Sequence, residues 1–114
     1  MEKKYKVRSN REYRTIYDKG RSKANRNLVV FYKANGLNYS KIGFTATKKL
    51  GKAVTRNRVR RLMKESYRQI NTDIKPGYDI IILARVSATE IDFKAMKSAV
   101  GHVLKIANLR KEGK

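Results

Sequence analysis

The chain has 114 residues and carries 29 Lys plus Arg against 9 Asp plus Glu, a formal charge of +20; this is the length of one domain, 1–114, and the charge calls for a polyanionic partner, nucleic acid before acidic lipid. The absence of cysteine and the single histidine exclude disulfides, thiol chemistry and zinc sites of the Cys/His type. There is no apolar run near the ~18 residues of a membrane span and no apolar stretch behind the first positive charges, and the nine acids are scattered singly, so a membrane protein, a secreted protein and a self-sufficient magnesium nuclease are not expected and the expected compartment is the cytoplasm.

In chain order, Ser9 to Lys19 reads as a helix: Ser9 and Glu12 have capping-box spacing, Val7 can staple the entry, and Gly20 can stop it in a left-handed conformation. Tyr13, Ile16 and Tyr17 share one face of it. Leu28 to Ala34 and Lys41 to Thr47 are rich in β-branched and aromatic residues with Asn35-Gly36 between them, and read as the strands of a hairpin. From Arg56 to Ile70 the period is helical, and Pro76-Gly77 marks a turn after it. Tyr78 to Arg85 contains a continuous apolar run, which predicts a central strand buried on both faces. Asp92 is the expected N-cap of a last helix whose Phe93, Met96, Val100, Val103, Leu104 and Ala107 form one apolar stripe. His102 lies on that helix with no acid or second histidine spaced to partner it, and is read as an interfacial residue without chemistry.

Charge is concentrated upstream: residues 1–68 hold 21 basic and 4 acidic side chains, a net of +17, against +3 for the remainder. Lys48 to Arg68 alone holds nine basic residues and one acid. At 100° per residue Asn57, Arg60, Arg61, Lys64 and Arg68 cluster on one side and Val59, Leu62, Met63, Ser66 and Ile70 on the other. A merely solvated helix would intersperse Glu with Lys at four-residue spacing, whereas Glu65 is the one acid here and sits off the stripe. Nucleic-acid contact is the favoured reading, ahead of a solvated face or a membrane-surface helix. Arginine's planar fork suits phosphate oxygens and groove edges of a structured nucleic acid. Gly51, flanked by Lys48, Lys49 and Lys52, allows the backbone to approach a phosphate.

The string KKLGKAVTRNRVRRLMKESYR, with Arg56-Asn57-Arg58 at its centre, resembles the hallmark motif of the bacterial ribonuclease P protein subunits. The resemblance extends upstream through Tyr13 and Tyr17, Ser22-x-Ala24-Asn25-Arg26 and Phe31, and downstream through YDIIILAR and the closing helix. Tyr13 and Tyr17 depart from it in standing where Phe is frequent. The fold it implies is α+β: one compact domain with an α-β-β-β-α-β-α order around a four-stranded mixed sheet, ribosomal-protein-like, with a left-handed crossover. The pattern along the chain gives only three strands; the fourth is implied near Ser22 to Arg26.

The resemblance also implies a function: assisting a catalytic RNA that removes the 5′ leader of precursor tRNA by hydrolysis, with Mg2+ held mainly by that RNA and no catalytic residue in this chain. No membrane and no DNA are expected as partners. Lys48, Lys49, Lys52, Arg56, Asn57, Arg58, Arg60, Arg61, Lys64 and Arg68 are the implied RNA-binding residues, and Tyr13, Tyr17, Arg26 and Phe31 the implied cleft for the single-stranded leader. Stacking rings flanked by cations suit single-stranded RNA on physical grounds alone, although aromatics at helical spacing also serve as core. A structural or ribosomal RNA-binding protein with no part in cleavage is the alternative.

Overall fold

Three successive isoleucines, Ile80 to Ile82, are wholly buried, and a strand with that requirement takes the middle of a sheet. The computed structural model describes residues 3–111. Its strands are β1 (Arg21–Ala24), β2 (Leu28–Ala34), β3 (Lys41–Thr45) and β4 (Tyr78–Ala84), and its helices α1 (Asn10–Lys19), α2 (Ala53–Arg68) and α3 (Phe93–Ile106). The α-β-β-β-α-β-α order holds. Spatially the strands run β1-β2-β4-β3, with β2 antiparallel to both its neighbours and β3 parallel to β4. The crossover between the parallel pair is the cationic helix α2.

The expected hairpin between β2 and β3 does not form, because β4 lies between them. The Asn35-Gly36 turn exists, with Gly36 at φ +73° and the Asn35 side chain accepting from the Leu37 N–H at 2.8 Å. Asn35 instead ties β2 to the start of β4, through its N–H to the Gly77 carbonyl and its amide to Asp79. A local hairpin would push the most apolar strand to an edge, and burying it decides the pairing. β1 is the strand that periodicity missed; all four of its residues are exposed.

One sheet face, carrying Leu28, Val30, Ile42, Ile80 and Ile82, packs against Val59, Met63 and Tyr67 of α2 and Met96, Val100, Val103 and Leu104 of α3. Leu62 and Ile70 pack at its rim, and the buried Ser66 hydroxyl donates to the Leu62 carbonyl at 2.7 Å. The opposite face receives α1 through Ile16, which is buried with Val7 and Ile81. The capping box is present: Ser9 Oγ accepts from the Glu12 N–H at 3.1 Å, and the Glu12 carboxylate accepts from the Ser9 N–H. Asp92 caps α3 by accepting from the Ala95 N–H at 2.9 Å.

Two local expectations change. Gly20 is extended (φ −83°), not left-handed; a Cβ there would lie 2.5 Å from the Ile16 carbonyl oxygen and 2.8 Å from that of Tyr32, so the glycine permits close backbone packing. α2 starts at Ala53, three residues before Arg56, and β3 ends at Thr45 rather than Thr47.

Candidate nucleic-acid interface

Lys48–Leu50 forms a single 3-10 turn that ends at Gly51, whose φ of +117° is the left-handed region an L side chain resists. Nothing lies within 4 Å of where a Cβ on Gly51 would project, so its backbone faces open space. Lys48, Lys49 and Lys52 surround it, all exposed. α2 begins immediately afterwards with Lys52 at the N-cap and no side-chain cap on its first N–H groups. The start of the helix, its positive dipole end, thus meets three lysines at a glycine.

The arginines divide into tethered and outward groups. Arg58 donates to the Thr89 carbonyl at 2.5 Å, fastening α2 to the segment after β4. Arg60 donates to the Ala46 carbonyl at 3.2 Å and to Asn57 Oδ1 at 2.7 Å, and Arg56 Nε donates to the Gly51 carbonyl at 3.2 Å. Arg68 is ion-paired with Glu65, so that acid is engaged with the stripe rather than idle beside it. Arg60 is therefore half-buried, against the expectation of an outward position equal to that of Arg61. Arg61 and Lys64 are exposed.

On the other side of β3, Tyr13, Tyr17 and Phe31 gather at the margin of the Val7, Ile16 and Ile81 cluster, each half-buried. Tyr17 meets Phe31 edge to face with ring centroids 4.8 Å apart, and the Tyr17 and Thr45 hydroxyls share a hydrogen bond of 3.1 Å. The Tyr13 hydroxyl lies over Gly43, where a Cβ would stand 2.4 Å from its oxygen. Burial pushes the Tyr13 hydroxyl's pKa upward, against a smaller downward pull from the Arg60 charge. That ring therefore remains a neutral hydrogen-bonding platform.

Register extends this cleft. Phe31, Ile81 and Gly43 lie abreast across β2, β4 and β3, and two residues along each strand come Val29, Leu83 and Thr45 on the same face. Those three are half-buried and continue the floor beyond the aromatic rings. Sequence reading missed them, because their common row exists only once β4 is known to separate β2 from β3. Arg26 is exposed in the β1–β2 turn, at the Val29 end of this row. Its neighbour Asn25 fastens the turn, accepting from the Asn27 and Leu28 N–H groups and donating to the Ala99 carbonyl. The Asn25 amide also lies 3.2 Å from His102 Nδ1, a partner the sequence reading did not supply.

Cationic helix and ring cleft meet at β3. A cavity of about 120 Å3 is lined jointly by Lys64, Lys6, Tyr13, Gly43 and Phe44. Among the described residues no three His, Cys, Asp or Glu side chains come together as ligands for a metal ion. Among the same residues no helix is long and apolar enough to cross a membrane.

The arrangement has counterparts in known proteins. The family model described as Ribonuclease P matches residues 1–108. The ribonuclease P protein component of Alkaliphilus oremlandii is 44% identical over 104 residues, which cover 91% of each chain. That of Clostridium botulinum is 44% identical over 108 residues, covering 94% of this chain and 97% of the relative. Among solved structures, a Staphylococcus aureus RNase P protein mutant with defective mRNA degradation activity superimposes with a TM-score of 0.89 at 36% identity, over 96% of this chain and 92% of that one. The Thermotoga maritima RNase P protein gives a TM-score of 0.82 at 30% identity, over 89% and 96%. In sequence over nearly its whole length, and in the fold that sets α2 beside the ring cleft, this chain belongs to the ribonuclease P protein family.

Proposed function

We propose that the chain binds the catalytic RNA of ribonuclease P through the lysine-ringed start of α2 and its outward face, and holds the single-stranded 5′ leader of precursor tRNA in the cleft of Tyr13, Tyr17 and Phe31. The observation that carries this reading is the junction at β3, where Lys64 and Tyr13 line one cavity. Phosphates are neutralised on one side of the strand and bases find ring faces on the other. Lys48, Lys49, Lys52, Arg61 and Lys64 are the contacting cations, while Arg56, Arg58 and Arg60 fix the helix against Gly51, Thr89 and Ala46 and present their remaining N–H groups. Arg68 and Asn57 extend the outward stripe, and Arg26 supplies a separate cation at the far end of the cleft floor.

In this reading Mg2+ stays with the RNA, and the protein's contribution is positioning: fixing the leader relative to the scissile bond converts an encounter into a held geometry. The test is reconstitution with the catalytic RNA and precursor tRNAs with and without a leader. The protein should tighten binding of the leader-bearing substrate well beyond that of mature tRNA. Tyr17→Ala should remove roughly 1–3 kcal/mol of that preference. Cleavage of the precursor by this chain and Mg2+ alone, or a preference for ribosomal RNA over the catalytic RNA, would overturn the proposal.

A further inference from the structure

The segment before α1 runs along the outer edge of β3, with Lys6 bridged to Ile42 in parallel and the Val7 N–H donating to the Ile42 carbonyl at 3.0 Å. From the cavity lined by Lys64 and Tyr13, the surface continues past Lys6 into a trough of about 510 Å3 walled by Lys3, Lys4, Arg8 and the Glu12–Lys41 ion pair. Tyr39 closes that trough and also lines a further cavity of about 480 Å3. This last cavity is built from Tyr5, Tyr39 and Tyr67 rings, the amides of Asn38 and Asn71, and Lys111. Tyr5 and Tyr39 stand edge to face at 5.4 Å, and the Lys4 ammonium lies 5.0 and 5.3 Å from their ring centres.

No side-chain hydrogen bond engages Asn38 or Asn71 among the described residues, whereas the Ser40 hydroxyl beside them is spent on the Lys75 carbonyl and the Tyr78 N–H. The volume lies in the range of small-ligand sites. Stacking rings, amides that can meet the edge of a base, and ammonium groups at the mouth are together what an unpaired nucleotide requires. An acidic peptide would use the lysines and leave rings and amides idle. Burial pushes the Tyr67 hydroxyl's pKa up to about 12, so the floor stays uncharged.

We propose that the Tyr5–Tyr39 cavity binds an unpaired RNA nucleotide, and that this nucleotide belongs to a 5′ leader long enough to leave the aromatic cleft and follow the β3 edge. The proposal rests on the cleft reading above and extends its substrate contact. The trough between cleft and cavity, where Lys3, Lys4, Lys6 and Arg8 exceed the one Glu12–Lys41 pair, favours the leader as the source; a loop of the catalytic RNA has the same chemistry and is separated from it by the test.

The experiment uses the reconstituted holoenzyme and precursor tRNAs whose leaders are lengthened stepwise, together with mature tRNA. Tyr39→Ala should weaken binding of long-leader substrates by about fivefold or more, the value of one stacked base, and leave short-leader substrates unchanged. Tyr39→Phe should retain wild-type affinity. Asn38→Asp, at an exposed loop position, should reproduce the long-leader loss by repelling phosphate and supplies the answer if Tyr39→Ala fails to fold. Tyr17→Ala serves as the control, because it should weaken short and long leaders alike; a normal response there with no length dependence at Tyr39 overturns the cavity and spares the cleft. Equal loss on mature tRNA or on the catalytic RNA alone would place the nucleotide in the partner RNA and overturn the leader assignment.

Discussion

Arg60 and Arg61 are neighbours in sequence and differ in what their guanidinium groups face. Arg61 is exposed, whereas Arg60 is held by the Ala46 carbonyl and Asn57. Arg61→Ala should reduce the salt slope of binding to the catalytic RNA by about one unit with no change in melting temperature. Arg60→Ala should additionally cost about 1 kcal/mol of folding stability, the ordinary value of a side-chain hydrogen bond of this kind; salt titrations beside thermal melts separate the two. The cationic stripe was legible from the spacing of charges, but the division within it was not. The acceptors that tie Arg58 and Arg60 to other elements, the Thr89 and Ala46 carbonyls, are backbone groups, which no residue pattern marks. Glu12 shows a second residue-scale effect. Its hydrogen bond to Lys41 at 2.5 Å, with backbone N–H groups of Ser9 and Arg8, holds its carboxyl down at about 2, from an ordinary 4.5. The group's depressed value stabilises the fold above about pH 4.5, and this is lost as pH falls toward 2. Glu12→Gln keeps the capping box and should cost about 1 kcal/mol at neutral pH, discounted for the partial exposure of the pair. The gap between its melting temperature and the wild type's should close on acidification through that window.

Among elements, α1 and α3 follow from local signals, because Ser9, Glu12 and Asp92 act within one turn of helix. Strand pairing does not, since its partners are distant in sequence. The Asn35-Gly36 signal was correctly a turn, yet the β2–β3 hairpin inferred from it lost to the burial demand of β4. β1 left no trace in periodicity because it has no buried position. The floor of the cleft was hidden for the same reason as the hairpin was misread. Two glycines test how elements pack: Gly20→Ala drives a Cβ into two backbone carbonyls, whereas Gly43→Ala meets the outer end of the Tyr13 side chain. Gly20→Ala should cost about 2–3 kcal/mol, at the upper end of overpacking. Gly43→Ala should cost about 1 kcal/mol, with Tyr13 swinging away and leader affinity falling. Denaturant unfolding and leader-dependent binding, measured on both variants, would reverse this ranking if α1 were free to lift off the sheet.

At the scale of the whole molecule, the charge is concentrated in residues 1–68, while β4 and α3 supply a large share of the apolar core beneath them. The strand order has a consequence for how the chain comes into being. The strand that joins β2 to β3, β4, is the last of the four in sequence, and among the described residues β3 has no other strand partner. As the polypeptide leaves the ribosome, its first 75 residues contain α1, β1, β2, β3 and all of α2, yet the surface on which β3 and α2 settle has not been made. A strongly basic nascent chain is therefore exposed, unfolded, beside ribosomal RNA until β4 and α3 emerge, and acquisition of the native state is a late, nearly all-or-none event in its synthesis. A fragment ending at Pro76 should show no cooperative thermal transition, while addition of residues through Leu109 should restore one. A folded 1–76 fragment, detected by a sigmoidal melt or slow amide exchange, would contradict this order of events.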